Sequence, residues 1–106
     1  MFINFDELDM LDFFEEEPIF IGEEGEVKYL YSVRDVYQLS MTLVIDAYAK
    51  QIEIAVSHRN NTIFAGQFDE VFEIRKSNDV LIVNMKNGKR LIIKKNSCLG
   101  VIFENV

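Results

Sequence analysis

The spacing of apolar residues along this chain changes once, near residue 26. Before that point Leu8 and Leu11, with Phe5 and Phe14 as further members, recur at helical spacing, and Asp9, Asp12, Glu15 and Glu16 fall on the opposite side. Asn4 and Glu7 have the form of a capping box with Asn4 as N-cap. Asp6 and Glu7 then stand in the first turn, where the helix dipole favours acids. The pattern predicts one helix within residues 5–16. Glu17-Pro18 stops it, because the residue before a proline resists helical backbone. Ile19-Phe20-Ile21 reads as a short edge strand and Gly22-Glu23-Glu24-Gly25 as a turn.

From Glu26 onward the period is two. Val27, Tyr29, Tyr31 and Val33 form one face of a strand; Tyr37, Leu39, Met41, Leu43 and Ile45 form a longer one; Ile52, Ile54 and Val56 a third. Asn60-Asn61 reads as a turn into Thr62-Ile63-Phe64-Ala65, and Val71-Phe72-Glu73-Ile74 is a further strand ended by Ser77-Asn78-Asp79. Asn87-Gly88 supplies the two positive-φ residues of a type I′ hairpin turn. A two-residue loop there pairs Met85 with Arg90, Val83 with Ile92 and Leu81 with Lys94. Leu81-Ile82-Val83 and Leu91-Ile92-Ile93 are apolar on both faces, which predicts a hairpin covered on both sides. Leu99-Gly100-Val101-Ile102-Phe103 is the last strand. The expected core is Leu8, Leu11, Leu39, Met41, Leu43, Ile45, Ile54, Leu81, Val83, Ile92 and Val101.

These elements define an α+β chain, mainly antiparallel β. One N-terminal helix packs on a meander of seven to eight strands, forming a sandwich or a partly closed, bent sheet. One domain is expected over residues 1–106, with an acidic helix and turn in 1–25 and the meander in 26–106.

Composition narrows the class. With 106 residues, nearly half of them apolar, five Gly and one Pro, the chain can bury a core and is not a disordered segment. A single cysteine, Cys98, excludes an internal disulfide and a cysteine-based zinc cage, and fits a reducing, cytoplasmic setting. The opening residues lack a basic segment and a cleavage site, so no signal peptide is expected. No apolar run nears the roughly 18 residues of a membrane span. Asn60-Asn61-Thr62 fits a glycosylation sequon but reads as a turn.

Charge changes the picture most. Residues 1–24 hold nine acids (Asp6, Glu7, Asp9, Asp12, Glu15, Glu16, Glu17, Glu23, Glu24) and no Lys or Arg. The remainder has eleven basic residues against nine acids, a balance of about +2, so the net −7 is concentrated at one end. Such a field repels nucleic acid and anionic lipid and attracts a basic partner. The run Glu15-Glu16-Glu17 has two readings, a solvated helix end or a binding surface.

Candidate chemistry is sparse. A triad needs nucleophile, base and orienting acid together, and neither His58 nor Cys98 lies in a motif. The glycines stand singly, so there is no phosphate loop, and no spaced oxygen-ligand pattern exists. No metal, no cofactor and no enzymatic activity are expected. Lys86, Lys89, Arg90, Lys94 and Lys95 cluster in the last hairpin without interleaved aromatics, and read as charges that guard an apolar hairpin against edge pairing.

Phe5-Asp6-Glu7-Leu8-Asp9-Met10-Leu11-Asp12-Phe13-Phe14, then Tyr37-Gln38-Leu39-Ser40-Met41-Thr42-Leu43-Val44-Ile45-Asp46, then Leu99-Gly100-Val101-Ile102-Phe103-Glu104-Asn105 together give the chain its character. In this it resembles the small acidic immunity proteins encoded beside bacterial polymorphic and contact-dependent toxins. The resemblance implies one-to-one binding and neutralisation of a cognate toxin in the cytoplasm. Such toxins are often nucleases with basic clefts, which an acidic surface plugs or deceives. Charge alone nominates Asp9, Asp12, Glu15, Glu16, Glu17, Glu23 and Glu24 as partner-binding residues. Two rivals stand beside this reading. One is an assembly domain that homodimerises through a sheet edge; the other is a small enzyme or carrier using a barrel interior.

Overall fold

The computed structural model describes residues 2–95 and 98–105. The chain begins with a short strand, β1 (Asn4–Phe5), and one helix, α1 (Glu7–Phe14). The N-cap is Asp6 rather than Asn4: its extended backbone precedes the helix and its side chain accepts the Leu8 N–H at 2.8 Å. Asn4 cannot cap because its backbone is already committed to β1. At the other end Glu15 adopts left-handed backbone, φ 60°, and its N–H closes on the Leu11 carbonyl. The helix therefore ends at Phe14, three residues before the Glu17-Pro18 stop.

The buried stripe of α1 is Met10, Phe13 and Phe14, and Leu8 is 74% exposed. Leu8 is thus not a core residue, and Leu11 is half-buried. Two apolar stripes compete on this helix, and the one carrying two phenylalanines removes more area from water. Phe14 stacks on Tyr31, ring centroids 5.0 Å apart, which fixes the helix on the sheet.

Two five-stranded sheets follow. The first is β2 (Ile19–Phe20), β3 (Lys28–Arg34), β4 (Leu39–Asp46), β5 (Gln51–His58) and β6 (Asn61–Phe68), antiparallel in chain order. The second holds β7 (Val71–Ser77), β8 (Val80–Met85), β9 (Lys89–Lys94) and β10 (Gly100–Asn105), with β1 added parallel to β7. The two long-strand runs are each a meander, and the sheets face each other as a sandwich without closing into a barrel. Alternation makes the core: Met41, Leu43 and Ile45 from β4, Ile52 and Ile54 from β5, Leu81 and Val83 from β8 are all buried. Leu39 and Val101 pack against this cluster, half-buried.

The last hairpin departs from expectation by one residue. Val83 pairs with Leu91, Ile82 with Ile92 and Leu81 with Ile93, around a three-residue turn at Lys86–Gly88 in which Asn87 and Gly88 have φ 65° and 74°. A one-residue shift exchanges the faces of a strand. Leu91 and Ile93 are therefore fully buried, while Ile92 lies with Ile82 on the outer face. That outer face is not covered: Ile82 and Ile92 are half-buried and Ile102 beside them is exposed. The β5–β6 turn likewise sits one residue early, on Arg59 and Asn60, both at positive φ.

Candidate functional site

The acids of the N-terminal segment divide into two kinds. Asp12 and Glu15 are ion-paired within the fold. Lys76 Nζ on β7 lies 2.8 Å from Asp12, and its hydrogen bond and charge hold the Asp12 carboxyl below the usual range. Lys95 Nζ lies 2.8 Å from Glu15, donates to the Phe13 carbonyl and sits 5.3 Å from the Phe13 ring centroid. One lysine thus answers the negative end of the helix dipole, an orphan carbonyl and a carboxylate together. Lys95 belongs to the basic cluster read as edge guards; the others of that cluster include Arg90, paired with Glu104, and Lys86, 4.0 Å from Glu70.

Asp9 is half-buried on α1; Glu16, Glu17, Glu23 and Glu24 are exposed and, among the described residues, in no ion pair. These four flank β2, two before it and two after. The turn that carries Glu23 and Glu24 is held by the Glu23 N–H donating to Glu26 Oε1 at 2.8 Å and by Gly25, whose φ of 85° a residue with a Cβ rarely adopts.

Between the two acidic pairs lies an apolar strip that charge counting did not find. Ile19 is 62% exposed, Phe20 54%, and Ile21 is exposed as well. β2 pairs with β3 along Leu30 and Tyr29 and leaves its other edge open, at the rim of the first sheet. Ile19 and Phe20 point to opposite faces of the sheet, so the exposed apolar groups wrap around the open edge of β2, with carboxylates at both ends. The signal was present in the chain, since Ile19-Phe20-Ile21 is apolar on both faces of a strand too short and too peripheral to be covered. Beside it, a groove of about 730 Å³ is bordered by Phe14, Glu15, Glu16, Arg34 and Thr42.

Elsewhere the geometry is structural. His58 ends β5, half-buried, and Cys98 is exposed with a free thiol. Asp35 accepts N–H bonds from Tyr37, Leu39 and Leu99 at 2.8–3.0 Å, joining the β3–β4 turn to the segment before β10. Burial acts to raise its pKa, but these donors and the nearby His58 outweigh burial and hold it below the usual carboxylate value. Burial, then the Glu7 charge, push the Tyr31 hydroxyl up to about 12. Among the described residues no three His, Cys, Asp or Glu side chains gather as metal ligands, and no helix is long and apolar enough to cross a membrane.

The architecture is that of an α+β two-sheet sandwich with its helix laid along one flank. No family model matches the chain, and no curated protein is similar to it in sequence. Among solved structures it is similar to a chain described as "Contact-dependent growth inhibition toxin - immunity protein complex from Klebsiella pneumoniae 342", with a TM-score of 0.84 over 100% of both chains at 23% identity. At that identity the likeness is one of fold.

Proposed function

We propose that this chain is an immunity protein that binds and neutralises a cognate toxin domain, basic in character, in the cytoplasm. The observation that carries the reading is the end-to-end fold likeness to a chain from a toxin–immunity complex. Of the two kinds of protein in such a complex, the net charge of −7, gathered at one end, favours the inhibitor. The surface assigned to the partner is β2 with its rim: Ile19 and Phe20 at the centre and Glu16, Glu17, Glu23 and Glu24 around them; Asp9, on α1, adds its charge to the same end of the chain. Asp12 and Glu15 contribute to the field but are partly neutralised by Lys76 and Lys95. Neutralisation is by occupation of the toxin and not by catalysis. The reading requires a toxin-like gene beside this one, and co-expression with that gene is the test. Growth should be rescued, and a one-to-one complex should co-purify. His58→Ala and Cys98→Ser should rescue as well as the natural chain; loss of rescue in a folded variant points to an enzyme instead.

One observation favours the homodimer as a second reading. β6 is an open edge strand of eight residues with no charge, and it exposes Ile63 and Phe64. Sedimentation at micromolar concentration separates the readings, since a monomer removes the second.

A further inference from the structure

Next to β2 lies a pocket of about 230 Å³ lined by four aromatic rings together with Ile3, Val27 and Glu7. Fully buried Ile3, whose N–H donates to the Ala47 carbonyl at 2.9 Å, forms its floor. Phe5 and Tyr29, edge to face at 6.3 Å, stand half-buried as walls. Phe2 and Tyr48, also edge to face at 6.3 Å, are exposed at the mouth, and Glu7 lines the same pocket. Among the described residues no lysine or arginine pairs with Glu7.

Four aromatic rings and one unpaired carboxylate around one cavity are the features that select a cation with an apolar stem. The ring faces carry negative potential, and a guanidinium stacks on them while a carboxylate takes its N–H groups. A hydrocarbon guest gains nothing from Glu7, and an anion is repelled by it. The start of α1 adds roughly half a positive charge nearby, but Asp6, Glu7 and Asp9 together outweigh it. Tyr29 also packs edge to face against Phe20 at 5.5 Å, so the pocket is continuous with the apolar strip of β2. We propose that this pocket receives an arginine side chain of the protein partner and is the anchoring point of the acidic surface. This rests on the partner-binding reading above and names the chemistry by which the partner is held.

The test needs no partner, so its failure is distinct from failure of the immunity reading. The isotope-labelled full chain is titrated with N-acetyl-arginine-N-methylamide and, separately, with the neutral citrulline analogue, following backbone amide shifts. Saturable shifts are expected at Ile3, Phe5, Glu7 and Tyr48 with arginine, and binding about threefold to fivefold weaker with citrulline. Glu7→Gln should erase that preference, Tyr48→Ala should weaken both probes, and Glu53→Gln, on the outer face of β5, should change neither. Equal binding of the two probes, shifts centred away from the pocket, or no saturable shift overturns the proposal.

Discussion

Lys95 and Glu15 meet across the fold, Nζ 2.8 Å from the carboxylate, and the same ammonium group is bonded to the Phe13 carbonyl. α1 is followed at once by three consecutive glutamates, Glu15 to Glu17, an arrangement that opposes its dipole. A lysine from the far end of the sequence relieves it. Lys95→Met should cost about 1 kcal/mol, since the Glu15 carboxylate is largely exposed and the part-buried carbonyl bond carries most of the effect. Adding Glu16→Gln and Glu17→Gln to that variant should recover part of the loss. Urea unfolding curves of the three proteins check both steps.

The register of the last hairpin makes a sharp contrast between neighbours. Leu91→Ala, at a fully buried site, should cost roughly 2–5 kcal/mol. Ile92→Ala, on the outer face, should cost about 1 kcal/mol or less. Leu43→Ala belongs with Leu91. Similar unfolding midpoints for the Leu91 and Ile92 variants contradict the observed pairing.

Acid and alkali should act through different residues. The Asp35 carboxyl is held below its ordinary value in the folded chain, so its stabilisation is fully present above about pH 4 and is lost as pH falls through the folded value. Asp35→Asn should be less stable at neutral pH and should lose less on acidification. Tyr31 has the opposite sign: its folded value is raised to about 12, so stability present below about pH 10 drains away as pH climbs towards 12. Tyr31→Phe should flatten that alkaline limb. Unfolding midpoints measured from pH 3 to 11 test the pair.

The charged rim and the apolar centre of the β2 surface should control different rate constants. Changing Glu16, Glu17, Glu23 and Glu24 to Gln should slow association with a basic partner by roughly tenfold at low salt and flatten its salt dependence. Ile19→Ala with Phe20→Ala should leave association nearly unchanged and speed dissociation by at least about tenfold. Surface-binding kinetics at two salt concentrations separate the two effects. An on-rate indifferent to the four carboxylates reduces them to a solvated face.

How much of this was legible follows from which forces are local. The strands around Leu39–Asp46 and Gln51–His58 could be read because a period of two with one buried face leaves a clear trace, and nearly every alternating apolar residue there is buried. The helix was legible but its face was not, because Leu8-Leu11 and Met10-Phe13-Phe14 offer two stripes and only the opposing sheet chooses. The hairpin at Asn87 was legible but not its register, because one loop residue more or fewer fits the same dipeptide. The acidic rim could be counted from composition. The pairing of Asp12 with Lys76 and of Glu15 with Lys95 could not, since it depends on strands far along the chain. Phe2, Phe5, Tyr29 and Tyr48 are scattered in sequence, and only the fold brings them around one cavity.

The parallel pairing of β1 with β7 sets an order of events. Strands β2 to β6 pair only with their immediate neighbours in sequence, so that sheet can assemble as the chain is extended. Asn4 and Phe5 must wait for Glu73 and Ile74. Until then α1 lacks Lys76 and Lys95 and carries its charge uncompensated. The acidic segment is thus a late guest of a half-built host. During synthesis that segment carries its charge before the strand it docks on exists.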